Sequence, residues 1–282
     1  MPTRPGPTVQ RRRLGIELRR LREAAGKSLD EVAAVLECSD SKVSRIENGQ
    51  VTATPRDVRD MLDFYDVSPE RRDELVEVAR TARKKGWWEA YSDTPVVPLV
   101  GLEVAADRIL AYEPMAVFSL LQTRKYAQAM IQAMRPELPQ ELVERWVELR
   151  MTRQELLRRD TPPMVEVILE ECAIRRPVGG RHVLMEQLQS LLEATTLPAL
   201  KLRILPLQLG EHAAISGAFT IYGFNEPRDP DVVYLEHMIS DMYVESPEQV
   251  ARYSTAFGRI RTAALTPEES ASFVMTAMRK LA

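Results

Sequence analysis

The segment from Ser39 to Gly49, SDSKVSRIENG, constrains the fold of this chain more than any other stretch. Ser39 can cap the amino end of a helix, and Gly49 after Asn48 is typical of a helix end. The apolar residues between them are Val43 and Ile46, three positions apart. About two and a half turns cannot bury a core, so this helix must dock on others through these two anchors. Its opposite face carries small and cationic side chains, which suits a helix that lies in a DNA major groove.

The sequence on either side predicts the other helices of a helix-turn-helix domain. Ser28 and Glu31 form a capping box, so a helix begins at Leu29. Pro55 after Thr54 is favoured at the first position of a helix. The predicted helices are 12–25, 29–37, 40–48, a fourth from residue 55 with Val58, Met61, Leu62 and Tyr65 inward, and 68–85.

Residues 12–66 resemble the Xre family of lambda-repressor-like helix-turn-helix domains. The resemblance is carried by Leu-x-x-Val-Ala near 29–33 and by Val-Ser-Arg-Ile-Glu-Asn-Gly at 43–49. It implies that the start of the third helix, and one position a turn later, reach base edges. The resulting base contacts are Asp40, Ser41, Ser44 and Arg45, and the phosphate contacts are Lys27, Lys42 and Asn48. Arg45 is the expected guanine reader, because its planar fork can match two acceptors.

The same resemblance implies a structural ion pair between Arg22 and Glu47, which joins the first and third helices. Two residues depart from the family. Leu29 stands where Gln is frequent, so one phosphate contact is expected to be absent, and Glu37 stands where Gly is frequent in the turn. A left-handed Glu37 would cost about 1 kcal/mol. The alternative for the whole region is a helical domain that binds protein and never contacts DNA.

Charge is unevenly distributed along the 282 residues, whose net charge is −3. Residues 1–28 carry eight Lys or Arg against two Asp or Glu, which favours a nucleic-acid-facing amino-terminal part. Residues 11–13, three consecutive arginines, are interpreted either as an arm along the DNA backbone or minor groove or as a solvated tail. The net negative charge argues against indiscriminate coating of nucleic acid.

Cysteine and histidine usage gives no sign of a metal site. Cys38 and Cys172 are far apart and lack ligand spacing, which favours a reducing cytoplasm. The amino terminus shows no apolar signal segment, and no stretch approaches 18 apolar residues, so a cytoplasmic protein is expected. The three histidines, His182, His212 and His237, are scattered, and neither a nucleophile elbow nor a phosphate loop is found. No metal, cofactor or enzyme activity is therefore predicted.

The chain divides into a helix-turn-helix domain at 12–82, a linker at 83–100 and a second domain at 101–282. Two tryptophans in the linker, Trp87 and Trp88, are expected to dock on the second domain. In that domain, helices are predicted at 101–112, 123–134, 139–159, 180–194, 247–264 and 267–281, and strands at 116–121, 164–170, 200–206, 217–223 and 231–236. The expected fold class is an all-α lambda-repressor-like helix-turn-helix domain followed by a larger mixed α/β (α+β) domain.

Several segments of the second domain resemble a carboxy-terminal domain of unknown function found behind this type of helix-turn-helix in actinobacterial regulators. The segments are 120–127, Arg150-x-x-Arg153-Gln154, 171–176, 233–236 and Ala264-Leu265. Phe118-Ser119 departs from the Pro-Gly that members often have. The resemblance implies a pleiotropic transcriptional regulator, sometimes encoded beside a small partner protein, and it implies no known ligand.

A helical wheel started at Leu142 places Arg153 near the middle of an apolar face and Arg150 nearer its edge. A buried guanidinium needs a partner, for which Glu171 or Glu170 is suggested. One interpretation is an internal structural ion pair. The other is an effector pocket for an anionic small molecule or for a partner's acidic group, formed by Gln122, Tyr126, Arg150, Arg153, Gln154 and Glu171.

These features predict a sequence-specific transcription regulator that binds double-stranded operator DNA as a homodimer. Two reading helices, at about 40–48, would enter successive major grooves about 34 Å apart. The second domain would dimerise and would sense a small-molecule effector or a small partner protein. The alternative is an antitoxin-like protein that neutralises a partner and autoregulates its own operon. A third hypothesis is that the protein is an enzyme.

Overall fold

A computed structural model of the chain shows a helical amino-terminal unit and a larger α/β unit. It describes residues 7–83, 86–91, 94, 97–225, 230–238 and 241–281. The division between the two compact units falls between Ala105 and Ala106. The expected fold class is confirmed, with helices first and a mixed sheet behind them.

The amino-terminal unit is built around five helices that bury one apolar core. They are α1 (Pro7–Ala24), α2 (Leu29–Val35), α3 (Asp40–Glu47), α4 (Pro55–Phe64) and α5 (Pro69–Ala82). Side-chain oxygens of Ser28, Ser39, Thr54 and Ser68 accept N–H bonds at the starts of α2 to α5. Because such caps can be recognised in the local sequence, helices α2 to α5 were predictable, and all four are confirmed. The core includes Leu18, Val32, Val43, Val58 and Leu62, all fully buried.

Helix α1 begins at Pro7, before the predicted start, and contains Arg11, Arg12 and Arg13. The interpretation of these arginines as an arm or a tail is therefore wrong. Further along, α1 packs closely against the end of α3. A Cβ added to Gly49 would lie 2.9 Å from the Arg12 Cα, and one added to Gly15 would lie 2.5 Å from the Glu47 carbonyl oxygen. Backbone thus packs on backbone where α1 crosses the end of α3.

Glu37, in the turn between α2 and α3, has a φ of 49°, which is the left-handed region expected from the sequence. Replacing Glu37 by glycine is expected to raise the free energy of unfolding by about 0.5–1 kcal/mol, because glycine adopts this conformation without a Cβ clash. Urea denaturation of the full chain measures the change. The matched control is Ala34→Gly on the exposed side of α2, which should lower stability by up to about 1 kcal/mol. A loss at both positions would contradict strain at Glu37.

The segment after α5 is partly helical. A 3-10 turn spans Trp87–Tyr91 and a helix, α6, spans Val97–Ala105. The 3-10 turn contacts α6, and α6 contacts α1 within the amino-terminal unit. Trp88 is buried, whereas Trp87 is exposed. The predicted linker at 83–100 therefore includes ordered structure, and its residues 84–85, 92–93 and 95–96 lie outside the described residues.

The described residues of the second unit form a six-stranded sheet with the order β3-β2-β1-β4-β5-β6. Strands β1, β2 and β3 are parallel, β4 is antiparallel to β1, β5 to β4, and β6 to β5. Consequently β1, β2, β3 and β5 end at one edge of the sheet, here called the carboxyl edge. The strands are β1 (Arg108–Glu113), β2 (Met164–Glu170), β3 (Leu200–Leu205), β4 (Phe219–Gly223), β5 (Val232–Leu235) and β6 (Met242–Val244).

Helices cover this sheet and confirm most of the predicted ones. They are α7 (Arg124–Met134), α8 (Gln140–Gln154), α9 (Glu171–Arg175), α10 (Arg181–Ala194), α11 (Pro247–Ala263) and α12 (Pro267–Leu281). One face of the sheet packs on α11 through Tyr112, Phe219 and Phe257. Because strand side chains alternate, Ala111, Thr220 and Tyr234 lie on the opposite face.

Two predicted elements are wrong, and the strand β6 and the helix α9 were not predicted. The predicted helix at 101–112 is the end of α6 followed by β1. Ile109, Ala111 and Tyr112 are all buried, so β1 shows no alternation that distinguishes it from a buried helix. The predicted strand at 116–121 is a loop and a 3-10 turn at Ser119–Leu121. Its apolar residues are buried there without being extended.

Candidate functional site

Helix α3 separates a buried face from an exposed face within eight residues. Val43, Ile46 and Glu47 are buried. On the other side, Asp40, Ser41 and Arg45 are exposed and Ser44 is half-buried. The four residues predicted to contact bases therefore share the surface that the core leaves free.

Weak local bonds link the side chains on this surface. The Nε of Arg45 lies 3.4 Å from the Ser41 carbonyl oxygen, and the Nδ2 of Asn48 lies 3.4 Å from the Ser44 Oγ. The Oδ1 of Asp40 accepts the Ser41 N–H at 2.7 Å. Bonds of 3.4 Å at exposed groups are weak, so contacts with DNA can replace those of Arg45 and Asn48.

The predicted phosphate contacts differ in their surroundings. The Nζ of Lys42 is 3.8 Å from an Asp57 carboxylate oxygen, and Asp57 also belongs to the capping box of α4. The Nζ of Lys27 lies over the Phe64 ring, 4.5 Å from its centroid. Asn48 is exposed at the end of α3. A phosphate would compete with Asp57 for Lys42.

Arg22 and Glu47 form a two-bond ion pair between α1 and α3. The Arg22 Nε and Nη2 donate to the two Glu47 oxygens at 2.7 and 2.9 Å, and Nη1 donates to the Lys27 carbonyl at 2.9 Å. The exposed fractions of the two side chains are 12% and 3%. The hydrogen bond to Glu47 raises the pKa of Arg22. This pair fixes α3 to α1 and holds the loop before α2.

The residues predicted to form an effector pocket converge on the segment 117–123 of the second unit. The Arg150 Nη1 donates to the Gln122 Oε1 at 2.7 Å, and the Gln154 Nε2 donates to the Gln122 carbonyl at 2.6 Å. Buried Arg153 donates through Nη2 to the Ser119 Oγ at 3.1 Å. Tyr126 accepts the N–H of Val117 at 3.2 Å. These bonds hold the segment in place.

The two carboxylates suggested as partners of Arg153 are bound by other groups. Glu171 accepts from the Arg175 Nε at 2.5 Å and from the Leu207 N–H at 3.1 Å. Glu170 accepts from the Tyr112 hydroxyl and lies 3.0 Å from the His212 Nε2. Both carboxylates therefore stabilise the carboxyl edge around β2 and β3.

The Tyr112–Glu170–His212 cluster at the carboxyl edge was not recognised in the sequence. The Nδ1 of His212 accepts the N–H of Ala214 at 3.2 Å, so in the neutral ring Nε2 carries the proton and donates to Glu170. Burial raises the pKa of Tyr112, and the hydrogen bond to Glu170 raises it further. Tyr112 and Glu170 could have been recognised as residues at the ends of strands, because β1 and β2 end side by side.

A second group of titratable residues lies at the carboxyl edge, on the face opposite α11. Burial and the Glu236 carboxylate raise the pKa of Glu113 and Arg150 opposes the shift, so that the pKa is about 8. Burial also raises the pKa of Tyr126. Glu113 was not recognised in the sequence, because the predicted helix at 101–112 hides that β1 belongs to the same sheet as β5.

The geometry of α1 to α5 defines a helix-turn-helix protein whose reading helix is exposed. A family model described as a helix-turn-helix domain matches residues 13–75, and such a domain indicates a DNA-binding regulator. A second model, the domain of unknown function DUF5753, matches residues 96–276. The chain belongs to the DUF5753 family. No curated protein and no solved structure matches the chain.

Two further features are absent from the described part of the chain. No group of three or more His, Cys, Asp or Glu side chains there is arranged to hold a metal ion. None of the helices in the described ranges has the length and apolar character needed to cross a membrane.

Proposed function

We propose that this protein is a sequence-specific transcription regulator that places residues 40–48 in the major groove of its operator. The observation that carries the proposal is the division of α3 into two faces. Val43, Ile46 and Glu47 fix the helix on the core, and the exposed side presents hydroxyl, carboxylate and guanidinium groups. A helix anchored in this way can present polar side chains to base edges without losing its packing.

In this proposal Arg45 reads a guanine, while Asp40, Ser41 and Ser44 contact neighbouring base edges. Lys27, Lys42 and Asn48 contact phosphates and position the domain. The structure of α3 supports the first group through its exposure. The proximity of Lys42 to Asp57 predicts that the Lys42 contact is weaker than that of an isolated lysine.

A helix of eight residues reaches few base pairs, so one copy alone gives little discrimination. We therefore infer a homodimer on a roughly palindromic site, with reading helices about 34 Å apart. We assign two roles to the second unit, which are dimerisation and the sensing of a small molecule or a partner protein. We assign it no catalytic role. In the antitoxin-like alternative, α3 contacts DNA through the same residues, and the second unit neutralises a partner protein. A pull-down from cells that returns no protein partner would count against that alternative.

The function is tested by footprinting the purified full-length protein on the DNA that flanks its own coding region. Binding is measured at two salt concentrations with an excess of random competitor DNA. We expect protection of a short two-fold site that survives the competitor. Protection that the competitor abolishes, or no protection at any protein concentration, would contradict sequence-specific binding.

Arg45→Ala is expected to cost about 1–3 kcal/mol of binding free energy at one base position and to relax preference there. Lys42→Ala should weaken binding to all sequences similarly and flatten the salt dependence, because a phosphate contact releases counterions. Fluorescence anisotropy with the operator, single-base variants and random DNA separates the two. Equal effects of both substitutions on specific and random DNA would contradict the assignment.

A further inference from the structure

Asp40 is the only carboxylate on the exposed side of α3. It occupies the first position of the helix and is exposed to solvent. Glu47, the other acid of α3, is buried in its pair with Arg22. The first residues of a reading helix are the ones that approach base edges. In the proposed complex, Asp40 therefore carries a negative charge into the groove of a polyanion, which requires a physical explanation.

Hydrogen bonds from Ser41 hold the Asp40 carboxylate at the start of α3. Its Oδ1 accepts the Ser41 N–H at 2.7 Å, and the Ser41 hydroxyl donates to the same oxygen at 3.4 Å. Both bonds go to one oxygen, so Oδ2 keeps its lone pairs for a donor outside the chain. A side chain that is already bonded to its own helix loses little further conformational freedom on binding.

The charge of Asp40 is not neutralised by the neighbouring cations of α3. The Nζ of Lys42 lies 3.8 Å from Asp57, and the Nε of Arg45 bonds to the Ser41 carbonyl oxygen. Within the described part of the chain, Asp40 forms no ion pair. Repulsion between two unit charges about 4 Å apart in water changes an equilibrium constant by about fivefold. Asp40 therefore weakens binding to DNA wherever no donor meets its carboxylate.

The four bases differ in what they offer a carboxylate in the major groove. Guanine and thymine present hydrogen-bond acceptors there, which repel a carboxylate oxygen. Adenine presents its N6 amino group, but the N7 acceptor lies beside it on the same base. Cytosine presents its N4 amino group and no acceptor. Cytosine is thus the base that best satisfies an exposed carboxylate.

We propose that Asp40 determines operator specificity by selecting one cytosine in each half-site. Its carboxylate accepts a hydrogen bond from the cytosine N4 amino group, and it repels DNA that presents an acceptor at that position. Specificity then arises from exclusion as well as from attraction. This inference names a base of the operator, so it deepens the function proposed above and rests on it. The competing role is structural, because an acid at the amino end of a helix stabilises that helix.

Binding of the full-length Asp40→Asn protein to random duplex DNA tests the repulsion. Asparagine removes the charge and keeps an oxygen for the Ser41 N–H. Fluorescence anisotropy should show binding about threefold to fivefold tighter than that of the unmodified protein. The matched control is Asp73→Asn, the same change at an exposed position of α5, which should alter the affinity less than about twofold. Unchanged or weaker binding of Asp40→Asn would overturn the proposal.

Selection from a randomised DNA library tests the choice of base. The consensus of the unmodified protein should contain a cytosine that Asp40→Ala no longer selects. In N4-methylcytosine, which still pairs with guanine, a methyl group replaces the amino hydrogen that faces the major groove. This change at the selected cytosine should weaken binding of the unmodified protein at least about fivefold, and binding of Asp40→Ala less than about twofold. Equal losses in both proteins would overturn the assignment of cytosine to Asp40.

The outcomes separate this inference from the proposed function. A consensus that Asp40→Ala leaves unchanged would refute the inference alone. Failure of the unmodified protein to select any consensus would refute sequence-specific binding, while tighter binding of Asp40→Asn to random DNA would still support repulsion by Asp40. Weaker binding of Asp40→Asn to every DNA, with a lower midpoint of thermal unfolding, would support the structural role and overturn the proposal.

Discussion

Glu47→Ala is expected to lower the free energy of unfolding by about 3–5 kcal/mol. The substitution removes the partner of Arg22, which donates two bonds to the Glu47 oxygens and a third to the Lys27 carbonyl. A guanidinium that is 12% exposed cannot recover these interactions fully from water. Urea denaturation of the full chain, followed by circular dichroism, measures the loss, and binding to random DNA should fall with the folded fraction.

An exposed ion pair in the same unit provides the control. Arg80 donates to Glu77 at 2.8 Å on the surface of α5, with both side chains more than half exposed. Glu77→Ala should change stability by less than about 0.5 kcal/mol. Replacing both members of the buried pair, Arg22→Met with Glu47→Leu, should restore much of the loss, because no unpaired charge remains. A loss in Glu47→Ala no larger than in Glu77→Ala would show that the pair is not buried in solution.

Glu113→Gln is expected to stabilise the protein at pH 8 and to have little effect at pH 4. The pKa of Glu113 is raised from 4.5 to about 8 in the folded chain. Below pH 4.5 Glu113 is protonated in both the folded and the unfolded chain, so it does not lower the free energy of unfolding. As the pH rises towards 8, the unfolded chain releases the proton and the folded chain does not, so stability falls. The difference at pH 8 is on the order of a few kcal/mol.

Urea denaturation of the unmodified protein and of the variant at several pH values between 4 and 8 tests this expectation. Glutamine cannot ionise, so the stability of the variant should decline less across this range. Glu137→Gln, at an exposed position, should follow the unmodified protein. Parallel curves for the unmodified protein and Glu113→Gln would mean that Glu113 is ionised in the folded state at neutral pH.

The amino-terminal unit was largely predictable, because its signals are local. Ser39 and Thr54 cap helices through bonds to residues three positions later, and such spacings are visible in a sequence. The outward positions of α3 followed from two apolar anchors. The start of α1 at Pro7 was not predicted in this way.

The second unit was less predictable, because its decisive features are non-local. Strand β1 is buried on both faces and lies between β2 and β4, so its sequence shows no alternation. The Tyr112–Glu170–His212 cluster brings together residues from three distant parts of the chain. Tyr234 and Glu236 lie within one short motif of the sequence, 233–236. Only strand register places them beside Glu113 and Asp241.

The backbone contact between Gly15 and Glu47 has a consequence for how related regulators could diverge. A helix held by main-chain packing at its carboxyl end cannot tilt to suit a new site, so the docking angle is inherited with the scaffold. In the function proposed above, operator preference would then change through substitutions at Asp40, Ser41, Ser44 and Arg45, whose side chains lie outside the core. Such substitutions should be nearly neutral for stability. On that proposal, substituting these four positions would redirect the protein to a different operator without altering its scaffold.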